Sequence, residues 1–288
     1  MGQFIRAAGV EVHYVEHGPA GDPAGRRDAN VPTAVLLHGF SPDLRLMTGC
    51  FEPVFEARPE WRRLYVDLPG MGRTVAPDWV RGTDDVMRIV DAVIAELVPD
   101  GSYVVCGESY GGYLARGLAA AHPDRVEGLA LVAAMIVAEH ADRDVPPHRV
   151  IARDDAAMLG VGADDEFLDI AVVQDAETWR RAQEEIVVGS KSADEAALDR
   201  IAAGYAGTFE LEDAQGPFER PVLFLTGRQD SVVGYQDAWA TLEHYPRATF
   251  AVLDRAGHNV HIEQSNLFNA LVHEWLDRVD EARARGGD

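Results

Sequence analysis

The stretch Tyr103-Val104-Val105-Cys106-Gly107-Glu108-Ser109-Tyr110-Gly111-Gly112-Tyr113-Leu114 predicts a strand, a sharp turn and a helix. An apolar run of strand type leads into a Gly-x-Ser-x-Gly pattern centred on Ser109, and small, helix-compatible residues follow as far as Ala121. Such a turn holds a serine hydroxyl in strained, exposed backbone geometry and leaves no room for a Cβ two residues before or after it. The five letters alone also fit a glycine-rich helix start with an incidental serine.

The overall composition is that of an ordinary globular protein. Of 288 residues, 47% are hydrophobic and 26% are charged, which suits one large α/β core. The 26 basic and 48 acidic residues give a formal net charge of −22. Because such a surface repels polyanions, we expect neither nucleic acid nor an anionic membrane as a partner. A small-molecule substrate is the expected partner, and the sequence does not indicate the oligomeric state.

The sequence shows no targeting signal and no metal-binding motif. Residues 1–6 lack the apolar segment of a signal peptide, and no apolar run approaches the length of a membrane span. Cys50 and Cys106 form no C-x-x-C pair, so a zinc or redox motif is missing. We therefore expect a soluble, cytoplasmic protein.

Apolar runs and helical periodicity alternate along most of the chain. Alternating residues at 10–17, with 4–6 before them, predict an opening antiparallel hairpin. Besides the strand before Gly107, buried strands are predicted at 33–37, 61–66, 126–134, 221–226 and 249–253. Helices are predicted at 42–57, 83–97, 110–121, 236–244 and 264–279. This alternation indicates a mostly parallel sheet covered by helices on both faces.

Several local features accompany these elements. Thr83 is predicted as the N-cap of its helix. Leu267, Leu271, Trp275 and Leu276 are placed on one side of the last helix. An exposed loop is expected at 18–32 and a frayed tail at 281–288.

The sequence pattern changes after Met135. Residues 136–216 contain no convincing strand, and amphipathic helical patterns are found at about 150–159, 164–174, 176–188 and 193–203. A strand run resumes at 221, so we interpret 136–216 as a helical insertion into one core formed by 1–135 and 217–288.

Two further polar residues follow predicted strands. Asp230 lies in the loop after the strand at 221–226, and His258 lies in the loop after the last strand. A serine hydroxyl is a weak nucleophile until a base takes its proton and a third group orients that base. Open α/β sheets place their sites at such strand ends. The chain order Ser109, Asp230, His258 therefore predicts a catalytic triad.

Backbone donors are predicted beside the serine. His38-Gly39-Phe40 follows the strand at 33–37, which should bring the Phe40 N–H toward the turn. Tyr110, directly after Ser109, would contribute a second N–H. Two such donors can stabilise the oxyanion of a tetrahedral intermediate, each by about 3–4 kcal/mol.

With these residues in place, the chain resembles the α/β-hydrolase superfamily over essentially its whole length. The matching pieces are His38-Gly39-Phe40, Asp67-Leu68-Pro69-Gly70-x-Gly72, Gly107-Glu108-Ser109-Tyr110-Gly111-Gly112, Gly227-Arg228-Gln229-Asp230 and Ala256-Gly257-His258. The resemblance implies the α/β-hydrolase fold with an inserted helical cap and a pocket between core and cap. It also implies a triad of Ser109, Asp230 and His258, an oxyanion hole at Phe40 and Tyr110, and no cofactor.

The nucleophile narrows the expected chemistry. Members of the family that open epoxides or displace halide carry an aspartate where Ser109 stands, so those activities are disfavoured. Carbon–carbon bond hydrolases share the serine, but they usually carry Gly-Pro-Gly where this chain has Ser41-Pro42-Asp43. Perhydrolases share the triad and are not separated from esterases by the sequence. We expect a serine hydrolase that cleaves an ester-like bond of a small, fairly apolar substrate. Carbon–carbon or lactone hydrolysis, or ligand binding without turnover, remains as an alternative.

Other polar residues receive structural or open interpretations. Glu139 or Asp142 could replace Asp230 as the triad acid, whereas Asp254 lies close to its own strand. His38, Asp67 and Arg73 are interpreted as loop residues, and His261 as structural or pocket-lining because no H-E-x-x-H pattern exists. Phe40, Met135, Val232, Val233 and Val260 are candidate pocket residues. The acidic Glu108 beside the nucleophile has no assigned role.

Overall fold

The predicted strand runs pair side by side in the computed structural model, which describes residues 2–19, 30–162, 165–209, 211–212 and 216–286. The strands are β1 Gln3–Ala7, β2 Val10–His17, β3 Thr33–Leu37, β4 Arg62–Val66, β5 Tyr103–Glu108, β6 Val126–Val132, β7 Ala152–Arg153, β8 Val173–Gln174, β9 Val222–Gly227 and β10 Ala248–Leu253. All of these except β7 and β8 form one sheet in the order β1-β2-β4-β3-β5-β6-β9-β10. The pairs β1–β2 and β2–β4 are antiparallel, and the other neighbours are parallel. The prediction of a mostly parallel sheet with an opening hairpin is confirmed.

Helices connect the strands. They are α1 Leu44–Phe55, α2 Thr83–Leu97, α3 Tyr110–Ala121, α4 Glu166–Ile170, α5 Ala176–Ala182, α6 Val188–Ser190, α7 Glu195–Ala202, α8 Gln236–Ala240, α9 Val260–Glu263 and α10 Ser265–Gly286. A π-helical turn, Gln183–Val187, joins α5 to α6, and 3₁₀ turns lie at His140–Asp142 and Leu242–His244. On the sheet, α1 packs against α10 and α2 packs against α3.

The register of the central strands brings several loops to one edge of the sheet. Leu37 of β3 pairs with Gly107 of β5, and Glu108 pairs with Val132 of β6. Val132 in turn pairs with Leu225 of β9. Because these strands are parallel and end at the same level, the loops that follow them start close together.

Some helix boundaries differ from the prediction. The helix expected from Pro42 begins at Leu44, because the Asp43 side chain accepts the N–H of Arg45 at 2.9 Å and caps it. Thr83 is the first residue of α2 and not its N-cap, which is Gly82. The Thr83 hydroxyl instead donates to the carbonyl of Tyr205 at 2.7 Å, so a long-range contact replaces the local cap.

The last helix is longer than predicted and buries a different face. The tail expected to fray from residue 281 continues as helix to Gly286, and Arg283 there pairs with Glu127; residues 287–288 lie outside the described residues. Leu267 is 48% exposed and does not belong to the apolar face. The buried side of α10 consists of Phe268, Val272, Trp275, Leu276 and Val279.

The segment 136–216, here called the insert, leaves the sheet after β6 and returns before β9. The prediction that it contains no strand is wrong, because β7 and β8 pair in parallel, Ala152 with Val173. The helix predicted at 150–159 is replaced by β7 and turns, and the one at 164–174 by the short α4 followed by β8. The helices at 176–188 and 193–203 are found as α5 to α6 and as α7. The division of the chain into a core and a cap stays a prediction.

Two further predictions concern the loop at 18–32 and membrane-spanning segments. Most of the loop predicted at 18–32 lies outside the described residues, which resume at Asn30. In the described part of the chain, no helix combines the length and apolar character needed to cross a membrane.

Candidate active site

The backbone at Ser109 has the strained geometry that the glycine pattern predicted. Ser109 lies between β5 and α3 with φ 49° and ψ −113°, a region that residues with a Cβ rarely adopt. A Cβ on Gly111 would overlap the carbonyl oxygen of Leu37, and one on Gly107 would overlap the carbonyl oxygen of Gly111. Both glycines are therefore required by close backbone approach, and the turn leaves the serine hydroxyl partly exposed.

His258 faces this hydroxyl from the loop after β10. Its Nε2 atom lies 3.1 Å from Ser109 Oγ, although the two residues are 149 positions apart in the chain. The other ring nitrogen, Nδ1, lies 3.0 Å from Asp230 Oδ2. The structure thus brings together the three residues that the sequence analysis selected as a triad.

Asp230 is buried and held by the backbone of its own loop. Its side chain has no exposed surface, and Oδ1 accepts the N–H groups of Val232 and Val233 at 2.8 and 3.0 Å. The alternative acids Glu139, Asp142 and Asp254 are exposed. Of the described carboxylates, those that form an ion pair with His258 are Asp230 and Glu108.

Phe40 and Tyr110, the predicted oxyanion donors, are neighbours. Their rings meet edge to face with centroids 5.5 Å apart. Tyr110 is the first residue of α3, and N–H groups at a helix start have no acceptor within the helix. The positive end of the helix dipole also favours a negative charge at this position.

Tyr205 of the insert completes an aromatic group beside these donors. Its ring stacks on Tyr110 at 5.2 Å with an interplanar angle of 10°, and it meets Phe40 edge to face at 5.1 Å. No motif marked Tyr205 in the sequence, and only its contacts with Phe40 and Tyr110 identify it.

A groove of about 600 Å³ opens at this aromatic group. Its lining consists of Phe40, Ala138, Glu139, His140, Arg143, Ala202, Ala203, Gly204, Tyr205 and Ala206. Of the predicted pocket residues, Phe40 lines the groove, whereas Met135, Val233 and Val260 are nearly fully buried in the hydrophobic core and Val232 packs against that core. A role for these four valine and methionine residues in a pocket stays a prediction.

Arg143 was also missed by the sequence analysis. Its guanidinium donates to the carbonyl oxygens of Val137, Ala138 and Val232 at 2.8, 2.8 and 3.0 Å. It therefore ties the start of the insert to the loop that carries Asp230, and it places a cation at the groove. Nothing in the sequence around a single loop arginine predicts that it will join two distant loops.

Glu108 is the unexpected member of the site. The side chain is 3% exposed, and Oε1 lies 3.5 Å from His258 Nε2. The backbone N–H of Gly39 favours the charged form of this carboxyl and lowers its pKa. A Cβ on Gly39 would overlap Glu108 Oε2, so the glycine after His38 makes room for this carboxyl.

Burial and charge shift the pKa values of these groups. Burial lowers the pKa of His258, but the charge and hydrogen bond of Asp230 and the charge of Glu108 outweigh it and raise this pKa to about 9. Burial raises the pKa of Glu108 to about 7, against the opposing effects of His258 and the Gly39 N–H. Both groups therefore titrate near neutral or mildly alkaline pH, as acid–base residues of catalytic sites commonly do.

Two other histidines, His38 and His261, take no part in the contacts between Ser109, His258 and Asp230. His38 is fully buried, and its Nδ1 donates to the carbonyl of Gly39 at 2.7 Å while Nε2 accepts the N–H of Leu68 at 3.0 Å. His261 is also buried, which lowers its pKa to about 3. Within the described ranges, no group of three or more His, Cys, Asp or Glu side chains is arranged to hold a metal ion.

Comparisons with known proteins match most of this chain. A sequence model of the alpha/beta hydrolase fold matches residues 32–265. The chain is 28% identical over 254 residues to a pimeloyl-(acyl-carrier protein) methyl ester esterase of Shewanella woodyi, covering 85% of this chain and 93% of that protein. It is 24% identical over 287 residues to a 2-hydroxy-6-oxo-6-(2'-aminophenyl)hexa-2,4-dienoic acid hydrolase of Metapseudomonas resinovorans, covering 98% and 93%.

A solved structure shows the same similarity in three dimensions. The crystal structure of an alpha/beta superfamily hydrolase from Oenococcus oeni PSU-1 matches with a TM-score of 0.84 and 26% sequence identity. The match covers 96% of this chain and 99% of that one. The similarity therefore includes both the sheet and the insert.

Proposed function

Because the chain belongs to the alpha/beta hydrolase fold family, we propose that it is a serine hydrolase cleaving an ester-like acyl bond through an acyl-enzyme. The observation that carries this proposal is the continuous contact from Asp230 through His258 to Ser109. Similarity to a protein named as a methyl ester esterase supports an ester as the substrate.

The first half of the reaction forms the acyl-enzyme. His258 Nε2 takes the proton of Ser109 Oγ while that oxygen attacks the substrate carbonyl. The N–H groups of Phe40 and Tyr110 hold the resulting oxyanion. When the tetrahedral intermediate collapses, the bond to the alcohol oxygen breaks, and His258 returns the proton to that oxygen as it leaves.

The second half releases the acid. Water gives a proton to His258 Nε2 as its oxygen attacks the acyl carbonyl, and the intermediate collapses with loss of Ser109 Oγ, which recovers the proton. Throughout, Asp230 accepts from Nδ1 and stabilises the protonated ring. Its full burial strengthens this interaction, since water does not screen it.

The groove supports a small substrate with both apolar and polar parts. Phe40, Tyr205 and several alanines line it, and Glu139, His140 and Arg143 add polar and charged groups. Apolar side chains with a few placed polar groups are typical of small-molecule sites. Under this proposal, 136–216 acts as a cap over the core, since it supplies Tyr205 and most other lining residues. No metal or organic cofactor takes part.

Labelling with a fluorophosphonate tests the nucleophile directly. We expect the native protein to be labelled at Ser109. Ser109→Ala should remain unlabelled because it lacks the attacking oxygen, and His258→Ala should remain unlabelled because it lacks the base that takes the proton. Turnover of p-nitrophenyl esters by either variant should fall by about 10⁴-fold or more.

The controls separate the alternatives. Retention of full turnover by Ser109→Ala would overturn the nucleophile assignment. An unlabelled native protein that still binds hydrophobic ligands would favour the binding-protein alternative.

Carbon–carbon bond hydrolysis is the second candidate. The observation that favours it is the similarity to a protein named as a dienoic acid hydrolase over 98% of this chain. Assaying a vinylogous diketone acid and a p-nitrophenyl ester side by side decides between them. A kcat/KM for the diketone at least about tenfold above the ester value would reverse our preference.

A further inference from the structure

The Nε2 atom of His258 has two oxygen neighbours. Ser109 Oγ lies 3.1 Å from it and Glu108 Oε1 lies 3.5 Å from it. Asp230 occupies the opposite side of the ring, at Nδ1. The base is therefore flanked by a carboxyl group on each nitrogen, and the mechanism above uses only one of them.

The second carboxyl group interacts differently with the two protonation states of the ring. When Nδ1 holds the ring proton, Nε2 presents a lone pair, which cannot donate to Glu108 and repels an ionised carboxylate. Once Nε2 has taken the proton of Ser109, the ring is a cation whose N–H can be donated to Glu108. An ionised Glu108 thus favours the protonated ring over the neutral one.

Glu108 also lies against the loop that carries the predicted donor Phe40. Its Oε2 atom occupies the space that the missing Cβ of Gly39 leaves, and the backbone N–H of Gly39 lowers the pKa of this carboxyl. Because Glu108 is nearly fully buried, its carboxyl group is confined beside His258.

We propose that Glu108 is a positioning residue for the reaction: it is a second anionic partner of the His258 imidazolium, on the side where the Ser109 proton arrives. The inference rests on the proposed function, because it assigns Glu108 a part in the same proton transfer. No atom of Glu108 forms a bond to substrate.

Several other groups act on the same pair. Asp230, Arg143 and His261 are close enough to His258 for a charge interaction, and Asp230, Tyr205 and Cys50 are close enough to Glu108. Of these, Asp230 favours the protonated ring, whereas Arg143 opposes it. Glu108 acts in addition to Asp230, and its charge is the contribution that a single substitution can remove while the Nδ1 contact stays in place.

The proposal predicts that Glu108 lowers activity at neutral pH and raises it at alkaline pH. His258 must lose its Nε2 proton to act as a base, so kcat/KM rises with pH through its pKa, which is raised to about 9. Without the Glu108 charge this midpoint should fall by about one unit, which raises the neutral fraction at pH 7 about tenfold. The weaker base should lower the alkaline plateau about threefold.

The pH profile of kcat/KM for a p-nitrophenyl ester in Glu108→Gln tests this directly. Glutamine keeps the size and shape of the side chain but carries no charge. The profiles of the native enzyme and the variant should cross, with the variant faster at pH 7 and slower at pH 10. Glu96→Gln is the matched control, since Glu96 is an exposed carboxylate near the end of α2 and lies outside the groove, and the midpoint of this variant should stay in place.

A second measurement works without turnover. In Ser109→Ala protein, the ring signals of His258 are titrated by NMR, assigned by their loss in His258→Asn, with Glu108 present and with Glu108→Gln. We expect the midpoint to fall by about one unit in the second case. Glu108→Met gives the same comparison if the glutamine variant does not fold.

The outcomes separate the two proposals. A lower NMR midpoint supports the Glu108 contact even if the native protein cleaves no ester and the proposed function fails. A native enzyme that is active, with a Glu108→Gln profile that is only scaled and not shifted, would show a structural role and overturn the inference. An unchanged NMR midpoint would overturn it as well.

Discussion

The two carboxylate oxygens of Asp230 have different partners, and this difference fixes the tautomer of His258. Oδ1 accepts two backbone N–H groups of its own loop, whereas Oδ2 faces Nδ1 of the ring. A carboxylate can only accept, so the ring proton is held at Nδ1 and the lone pair at Nε2 faces Ser109. The orientation of the ring and the tautomer of its neutral form thus follow from one buried side chain.

Replacing Asp230 by asparagine should invert this arrangement. The amide oxygen would stay with the N–H groups of Val232 and Val233, which turns the amide NH₂ toward His258 Nδ1. The ring proton would then move to Nε2, where His258 needs a free lone pair to accept the proton of Ser109. We therefore expect kcat to fall about 10³–10⁴-fold with the fold intact.

Steady-state kinetics with a p-nitrophenyl ester and far-UV circular dichroism measure the two parts of this prediction. Asp254→Asn is the control, because Asp254 is an exposed acid beyond the neighbouring strand and should leave kcat unchanged. Comparable losses of kcat in both variants would argue against a specific role of Asp230 in orienting His258.

At the residue scale, sequence order was enough to predict that Ser109, Asp230 and His258 lie together, because each follows a recognisable strand. The contact between Glu108 and His258 was not predictable. Chain order places Glu108 directly before the nucleophile, but the approach of its carboxyl to a ring so distant in the chain depends on how the loops after β3 and β10 meet.

The turn between β5 and α3 depends on the glycines on either side of Ser109. Gly111 packs directly against the backbone of Leu37, the last residue of β3. An added Cβ would push the strand and the helix apart at the level of the site. The turn therefore couples packing of the sheet to the position of the serine hydroxyl.

Gly111→Ala should destabilise the protein by about 3 kcal/mol or more. Glycine-to-alanine changes in helices otherwise stabilise by about 1 kcal/mol, so the overlap with Leu37 reverses the usual sign. Urea unfolding followed by tryptophan fluorescence gives the free energy of unfolding.

Gly162→Ala provides the matched control, since a Cβ added there would meet no atom within 4 Å. We expect a change below about 0.5 kcal/mol at this position. Equal effects at the two glycines would mean that the turn tolerates a Cβ.

At the element scale, elements with strong local patterns were predicted well and the insert was not. Strands buried on both faces read as unbroken apolar runs, and α2 has clear helical spacing. In the insert, β7 and β8 are two residues each and exist because Ala152 and Val173 are brought together by the tertiary fold. The prediction of Thr83 as an N-cap was wrong for a related reason, since the Thr83 hydroxyl donates to the carbonyl of Tyr205 in the insert.

The whole molecule carries a strong negative charge around a site that contains Arg143. The formal net charge is −22, and a field of this sign opposes the approach of anionic substrates. Arg143 at the groove acts in the opposite direction at short range. The balance between repulsion by the net charge and attraction by Arg143 depends on the distance of the substrate from the site and on screening by salt.

We expect the global field to dominate for association. Raising the salt from about 0.01 M to about 1 M shortens the Debye length from about 30 Å to about 3 Å. Over that range kcat/KM for the anionic mono-p-nitrophenyl glutarate should rise about two- to fivefold, whereas the neutral p-nitrophenyl butyrate should change little. A fall for the anionic ester would instead indicate direct pairing with Arg143.

The backbone strain at Ser109 has a consequence for how this sequence can evolve. A left-handed φ of 49° costs a serine free energy that glycine would not lose. We therefore expect Ser109→Gly to raise the heat resistance of the chain in the same step that removes the hydroxyl. Under the proposed function, selection for heat resistance alone would favour an inactive protein, and selection on turnover would keep the strained serine in place.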